Sequence, residues 1–558
     1  MTFPEKKLNG YFSLLLLFPI ILFASYIYKH ALNVPFMDDM TLVNTVNNIQ
    51  EDSSRFFSVL VSQQNDHRIA FARLGIIASY LLSGAINFRL AILLGYLNLI
   101  LLGYSLYLIY RTENNEKFGF LPATLLLFSP IVYFVQLSSI TSFQHSLSLS
   151  FSILGLYFLQ PDKSKYWFLA IFFSIAASLT NLDGISVVPL AIFWLITQRR
   201  WKTAGYFTVF ALIYFVIYFT NFNFSSSTQI TWSLDNLALM AQSFLTVTGS
   251  LAKIISDSKG AVLSLILGSF MLSVFTMIKF YPRILGPESR FSLRKLFTLD
   301  LTDICFLRIV TSMVMIAIGR FADGMGSMTA TRFQVYSVSM VIIFYLFLLK
   351  TLKGKNLYLV KISSMIIAIV ISFYSYKKYE TAVSYFDEGL KADSYNYPHN
   401  KIFLHQYWNM PDPDPGFYAN YDFPLNFPES TINFWRSARS SQKPVSTTLI
   451  TKEIPPLERD PDYIFPLKEL VIKNNNEDIP EQGAYLGLSS NAAPGKLYLI
   501  ALLANNGSWL SGLIGQPVTG NYRCEIPKKL PHGTYTAKMC WVKDGKPMAS
   551  QISQNVIF

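Results

Sequence analysis

Ile69-Ala70-Phe71-Ala72-Arg73-Leu74-Gly75-Ile76-Ile77-Ala78-Ser79-Tyr80-Leu81-Leu82-Ser83-Gly84-Ala85-Ile86 is the stretch on which the topology turns. It is apolar and helical in period. If it crosses a bilayer, every later loop changes sides. Arg68, Ala72, Gly75, Ser79 and Ser83 recur at helical spacing and form one small, weakly polar stripe. A helix of that kind lies in an interface or dips into it.

A bilayer is at issue because of the composition. The chain has 558 residues, of which 52% are hydrophobic and only 14% charged, with a mean hydropathy of +0.34. Soluble domains carry about 25% charged residues. The deficit comes from repeated apolar runs of the length a bilayer requires. The first, Tyr11 to Tyr28, lacks a small-residue cleavage site and reads as a retained anchor. Runs near 88–110, 119–135, 146–160, 166–181, 185–197, 204–220, 261–279, 302–319, 333–349 and 358–376 read as further spans. The net charge of +12 would suggest a nucleic-acid partner in a soluble protein. Here the basic residues sit in short loops, where they set orientation, so the partner is the lipid bilayer and no nucleic acid is expected.

Those basic residues decide the parity of 69–86. Lys6 and Lys7 hold the N-terminus in the cytoplasm. If 69–86 stays at the outer interface, Arg111, Lys117, Lys163, Lys165, Arg199, Arg200, Lys202, Lys279, Arg283, Arg290, Arg294, Lys295, Lys350, Lys353, Lys355 and Lys361 all face the cytoplasm. The other face keeps chiefly Lys253, Lys259, Arg320 and Arg332. If 69–86 crosses, nearly every loop breaks the positive-inside rule. The expected fold is a polytopic, multi-pass α-helical membrane protein with about 11 spans plus an interfacial helix, its N-terminus in the cytoplasm.

After Ser375 the composition changes. Residues 377–464, with Pro411-Asp412-Pro413-Asp414-Pro415, read as a loop-rich periplasmic connector. Residues 465–558 alternate in short runs separated by Asn506-Gly507 and Pro531-His532-Gly533, which predicts a periplasmic mainly-β, sandwich-like domain. Cys524 and Cys540 fall in two of its strands. They either pair in an oxidising compartment or stay buried as thiols.

The topology places the unusual polar residues on one face. Pro35-Phe36-Met37-Asp38-Asp39-Met40 follows the first span, and Gln63-Gln64-Asn65-Asp66-His67-Arg68 precedes the interfacial helix. Gln136, Gln144 and His145, then Asn181-Leu182-Asp183-Gly184, then Arg320 and Arg332 join them. Each has a purely structural alternative: helix capping by Asp38-Asp39, snorkelling by His67 and Arg68, backbone satisfaction by Gln136, Gln144 and His145, an Asx-turn at Asn181 and Asp183, helix-end charge at Arg320 and Arg332. The joint arrangement suits transfer of a sugar from a lipid phosphate. A carboxylate can take the proton of an acceptor hydroxyl. Arginine forks match phosphate oxygens. The interior of the spans reads as nearly free of charge, which argues against a transporter with ionisable residues along a path.

This layout resembles the GT-C-fold membrane glycosyltransferases, which use polyprenyl-phosphate sugars. Asp38-Asp39 and helix 69–86 look like that fold's first-loop acidic motif and juxtamembrane helix. Asn65 to Leu74, Asn181 to Gly184, and Gly319-Arg320 through Arg332-Phe333 are similar to motifs of a bacterial branch. Met37 and Met40 depart from it, standing where aromatics are usual. The resemblance covers residues 10–375 and implies a catalytic membrane domain over 1–376. It implies an undecaprenyl-phosphate-linked hexose as donor and an O-antigen or lipopolysaccharide glycan as acceptor. Asp38 would be the base and Asp39 its partner or a ligand of a possible divalent metal. Arg320, Arg332, His67 and Arg68 would bind the donor phosphate, and Gln136, Gln144, His145, Asn181 and Asp183 the substrate. The C-terminal β-domain lies outside the shared core. A lipid-linked glycan flippase and an O-antigen polymerase or ligase are the rival readings.

The orientation is open to direct test. A reporter active only in the periplasm, fused after Phe558, should work, and the same reporter at Thr197 should be silent. The reverse pattern would make 69–86 a full span.

Overall fold

The computed structural model describes residues 5–113, 118–224, 233–284, 298–405, 415–418, 420–437, 469–473, 480, 483–493, 495–504, 521–527 and 529–557. In chain order its helices are α1 (Glu5–His30), α2 (Met40–Glu51), α3 (Phe56–Val61), α4 (Ala70–Ser83), α5 (Phe88–Glu113), α6 (Leu121–Leu127), α7 (Tyr133–Leu137), α8 (Ser139–Phe158), α9 (Trp167–Ser178), α10 (Val187–Thr197), α11 (Trp201–Phe219), α12 (Leu234–Thr248), α13 (Gly260–Ile284), α14 (Leu301–Arg320), α15 (Gln334–Thr351), α16 (Gly354–Asn400) and α17 (Glu429–Ser437). Among the described residues seven helical stretches are long and apolar enough to cross a membrane: Phe88–Glu113, Phe118–Leu137, Trp201–Phe219, Gly260–Phe280, Leu301–Asp323, Thr331–Thr351 and Gly354–Asn400. Leu14–His30, Ala70–Ser83, Trp167–Ser178 and Leu182–Thr197 are shorter apolar helices.

Helix α8 is the axis of the bundle. Its serines Ser142, Ser146, Ser148, Ser150 and Ser152 are all buried. Small residues on its neighbours let them close on it. A Cβ at Gly95 of α5 would stand 2.0 Å from the Ser142 hydroxyl, and one at Gly75 of α4 would stand 2.4 Å from the Phe143 ring. Close approach of this kind is how helices associate where no water drives them together.

Helix α4 has 14 residues, about 21 Å of rise, well short of a hydrocarbon core of about 30 Å. Gly84 ends it in the left-handed conformation, with φ 77°. Its first N–H, of Ala70, donates to the Leu179 carbonyl just past α9, at 2.8 Å. Just beyond its other end the Phe88 N–H donates to Asn33 Oδ1, just past α1, also at 2.8 Å. The Ala72, Gly75 and Ser79 stripe is buried, while Leu81 and Leu82 point outward at 75% and 70% exposure. The expected stripe therefore marks the face that packs on protein.

The connector expected over 377–464 is corrected at its start. Helix α16 runs unbroken for 47 residues, about 70 Å, from Gly354 to Asn400. Its first half presents Ile366, Ile367, Val370 and Phe373 outward; its last turns bury Ala392, Tyr395 and Tyr397. Residues 438–464, with most of the Pro411–Pro415 run, lie outside the described residues, as does Asn506-Gly507.

The C-terminal region holds two antiparallel sheets. One has the order β3 (Glu469–Lys473), β7 (Asn521–Glu525), β6 (Leu503–Ala504); the other has β5 (Leu497–Ala501), β4 (Ala484–Ser490), β8 (Thr534–Lys543), β9 (Lys546–Ile557). Tyr535, Ala537, Met539 and Trp541 of β8 face the other sheet, in one core with Ile472 and Tyr522. Tyr485, Leu497, Leu499 and Cys540 face Ala392, Tyr395, Ile432 and Trp435 of the helices. The four-stranded sheet is thus the middle of three layers. Cys524 belongs to the first core and Cys540 to the second, and no disulfide joins them. The pairing alternative is excluded because the two strands turn these thiols toward different layers.

Strand β5 is an edge, and the end of α16 closes it. The Asn396 amide donates to the Leu499 carbonyl at 2.7 Å and accepts from the Leu499 N–H at 2.9 Å. Asn400 donates to the Leu497 carbonyl at 2.7 Å, and His405 Nε2 accepts from the Ala501 N–H at 3.0 Å. An open edge would invite pairing with another chain. Asn396→Leu leaves two buried backbone groups unpaired, at about 1–3 kcal/mol each. Hydrogen exchange at residues 497–501 should accelerate in that variant; exchange as slow as in the wild type would show that Asn396 does not hold the edge.

Candidate functional site

The first polar motif is built on a strained turn. Met37 has φ 50°, a left-handed conformation that a side chain of its kind adopts at a cost of about 1–2 kcal/mol. Met37–Asp39 then forms a single 3-10 turn. The strain splits two adjacent acids into different environments.

Asp39 points inward and is 1% exposed. Its Oδ2 accepts from the Phe36 N–H at 3.1 Å, and its Oδ1 from the Ile140 N–H at 3.0 Å. It therefore ties the first loop to the N-terminus of α8, where a negative charge is favoured. Burial pushes its carboxyl up to about 6, against the pull of these hydrogen bonds. It is a carboxylate at neutral pH, and both oxygens are held by the chain.

Asp38 is half-buried and makes no hydrogen bond among the described residues. Burial raises its pKa above the usual carboxylate range, while Arg332 and then Arg320 pull it back. Both arginines therefore lie within electrostatic reach. Arg320, at the end of α14, stands 3.6 Å from Asp323 Oδ2 with both side chains about half exposed, at 52% and 51%. Arg332 is half-buried over the Phe333 ring, and its Nε is buried with no hydrogen-bond partner among the described residues.

The second motif is a hairpin. Strand β1 (Gln63–Gln64) pairs with β2 (His67–Arg68), Gln64 opposite His67. Asn65 takes φ 48° in the two-residue turn, a conformation asparagine tolerates. The hairpin sends its two basic residues apart. His67 Nδ1 accepts from the Leu182 N–H at 3.2 Å. Burial lowers its pKa, and Asp183, Asp66 and Arg320 are the charges that act on it. Arg68 instead donates to the carbonyls of Tyr218, Val61 and Thr220 and lies over the Tyr218 and Phe222 rings. Three of its five N–H donors thus clamp the hairpin to the ends of α3 and α11.

The remaining candidates form an inner layer. His145 Nδ1 lies 3.1 Å from the Tyr336 hydroxyl, to which Asn181 Nδ2 donates at 3.3 Å. The Asn181 Oδ1 accepts from the N–H of the next residue, Leu182, one residue short of the bond that would make an Asx-turn. Gln136 is fully buried; its Nε2 donates to the Ser146 hydroxyl, while its Oε1 has no partner among the described residues. Gln144 is half-buried and makes no hydrogen bond among them.

Asp183 holds the residue that sequence reading missed. Its Oδ2 pairs with Arg308 Nη2 at 3.2 Å and accepts from the Ser312 hydroxyl at 2.7 Å; its Oδ1 accepts from the Ser148 hydroxyl at 2.8 Å. Arg308 is 0% exposed. The expectation of an interior nearly free of charge is thus corrected: a buried ion pair sits inside the bundle, with the Arg308 Nε unpartnered among the described residues. One arginine in an otherwise apolar run was its only sequence signal.

Among the described residues no three His, Cys, Asp or Glu side chains converge as a metal centre would need. No protein-family model, curated protein or solved structure matches this chain.

The two acids should separate in mutagenesis. Asp39→Ala orphans the N–H groups of Phe36 and Ile140, so the detergent-purified protein should lose about 1–3 kcal/mol for each. Asp38→Asn removes a partly desolvated charge that no hydrogen bond supports, so thermal stability should hold or rise. Equal destabilisation by the two would contradict this division.

Proposed function

We propose that this protein is a GT-C-type membrane glycosyltransferase. It moves a sugar from a polyprenyl-phosphate donor, such as an undecaprenyl-phosphate-linked hexose, to a cell-envelope glycan of the O-antigen or lipopolysaccharide class. In this reading it spans the bacterial inner membrane 11 times. The N-terminus is cytoplasmic, α4 lies at the outer interface, and the β-domain is periplasmic.

The reading is carried by Asp38 and Arg332, two charges within electrostatic reach of each other. One is a half-buried carboxylate without a hydrogen bond; the other is a guanidinium with a buried Nε that lacks a partner. A raised carboxylate beside fixed cations is the setting of a base next to an anion site. Asp38 takes the proton of the acceptor hydroxyl. The acceptor oxygen forms its bond to the anomeric carbon as the bond from that carbon to the phosphate oxygen breaks. The electron pair leaves on the polyprenyl phosphate, whose charge Arg332 and Arg320 meet. His67 lies close enough to Arg320 to complete this side of the site. Asp39 acts by fixing the loop.

The buried Asp183–Arg308 pair is the observation that favours the rival reading, a lipid-linked glycan flippase, since charges inside a bundle mark transport paths. Both Asp183 oxygens are taken up by Arg308, Ser148 and Ser312, which suits a structural tie better, although the Arg308 Nε is left without a partner among the described residues. The test is sugar transfer by purified protein in lipid. Asp38→Asn should lower turnover by about 10²–10⁴-fold with normal insertion, and Arg332→Ala should weaken use of the donor. Full transfer activity in both, or translocation of intact donor without transfer, would defeat the proposal.

A further inference from the structure

The Leu182 N–H is shared between Asn181 Oδ1 at 3.1 Å and His67 Nδ1 at 3.2 Å. An amide can only donate, so His67 Nδ1 must keep its lone pair while this bond stands. The ring proton then belongs on Nε2. Which nitrogen carries it is set by the partner of the other.

What fixes that amide is the turn around it, and the turn is held from both sides. Asn181 reaches the Tyr336 hydroxyl, which also meets His145. Asp183 takes hydrogen bonds from Ser148 and Ser312 and the ion pair from Arg308. From below, Gly184 lies flat on the end of α9; a Cβ there would stand 2.1 Å from the Ala177 carbonyl oxygen. The turn cannot move without stranding the fully buried charge of Arg308. Such a charge, once unpaired, is among the least tolerated groups in a protein interior.

We infer that Arg308 is a positioning residue: through Asp183 and the 181–183 turn it holds His67 with Nδ1 as acceptor and Nε2–H as a fixed donor. The role of that donor, a hydrogen bond to the donor-lipid phosphate, rests on the function proposed above; the tautomer does not. A neutral ring that donates adds no further positive charge to a site that already holds Arg320 and Arg332. The groups that act on the ring are Asp183, Asp66, Arg320 and His145.

The tautomer can be read without substrate. With only six histidines, protein labelled with 15N-histidine in lipid nanodiscs gives a sparse nitrogen spectrum, in which His67 is identified by its loss in His67→Gln. At neutral pH the wild type should show one form, with Nδ1 unprotonated and Nε2 protonated. Arg308→Met should give a mixture of tautomers, and Arg308→Lys should restore part of the single form. Ser312→Ala removes the hydrogen bond to Asp183 and the one that Arg308 Nη1 donates to Ser312, while keeping the charge pair. It should shift the His67 signals in the same direction even if Arg308→Met does not fold. Affinity for undecaprenyl phosphate should fall about three- to tenfold in Ser312→Ala, the worth of one hydrogen bond. A wild-type proton on Nδ1, or a single unchanged tautomer in both Arg308→Lys and Ser312→Ala, overturns the inference. If the tautomer behaves as expected and the lipid phosphate does not bind, the proposed function fails instead.

Discussion

The carboxylate of Asp39 accepts from two backbone N–H groups, one in its own turn and one at the start of α8. The geometry of the outer face depends on that shared acceptor. It sets the loop after α1 on the axis of the bundle. It forces Met37 into a left-handed conformation. The neighbouring Asp38 stays half-buried, and its carboxylate accepts no hydrogen bond among the described residues. Two identical residues in sequence thus take different settings: the buried one holds the turn, and the half-buried one is left unbonded within electrostatic reach of Arg332 and Arg320.

The same logic repeats one layer deeper. Asp183 holds a turn by consuming its own charge, and Arg308 is its buried counterpart. Both ties run between the outer ends of helices, where a few fixed backbone amides decide which side chains reach the site. The β-domain is joined more rigidly than a loop would allow. Helix α16 leaves the apolar bundle and closes the edge of β5 with its own asparagines. The aromatic segment around Phe417, Tyr418 and Tyr421 packs with Leu42, Val43, Ile86 and Phe88, which brings the soluble part against the first loop and the end of α4.

Much of this was legible in the residues, for identifiable reasons. Basic loops argued that α4 does not cross; its 14 residues are few for a span, but α9 and α10, read as spans, are shorter still, with 12 and 11. The convergence of Asp38, His67, Arg320 and Arg332 was expected from that parity. The outward half of α16 was read as connector because Lys377, Lys378 and Glu380 end the apolar run. Yet Tyr379, Val383, Phe386 and Leu390 keep a three-to-four spacing and are all buried, a helical signal present in the sequence. Arg308 was invisible in another way. Its partner lies far away in the chain, and one charge scarcely alters the mean of an apolar run. The hairpin at Gln63–Arg68 has strands of two residues, too short for any alternation to show. Nothing in the pair Asp38-Asp39 tells which acid turns inward; the turn decides it.

The central claim is that Asp38 and Arg332 face one lipid phosphate. The most direct measurement is the affinity of undecaprenyl phosphate for purified protein in nanodiscs, compared among wild type, Asp38→Asn and Arg332→Gln. A carboxylate and a phosphate in one site repel, whereas a guanidinium and a phosphate attract. Asp38→Asn should therefore bind the lipid phosphate more tightly than the wild type, and Arg332→Gln more weakly. Weaker binding in both variants, or no change in either, would contradict the account.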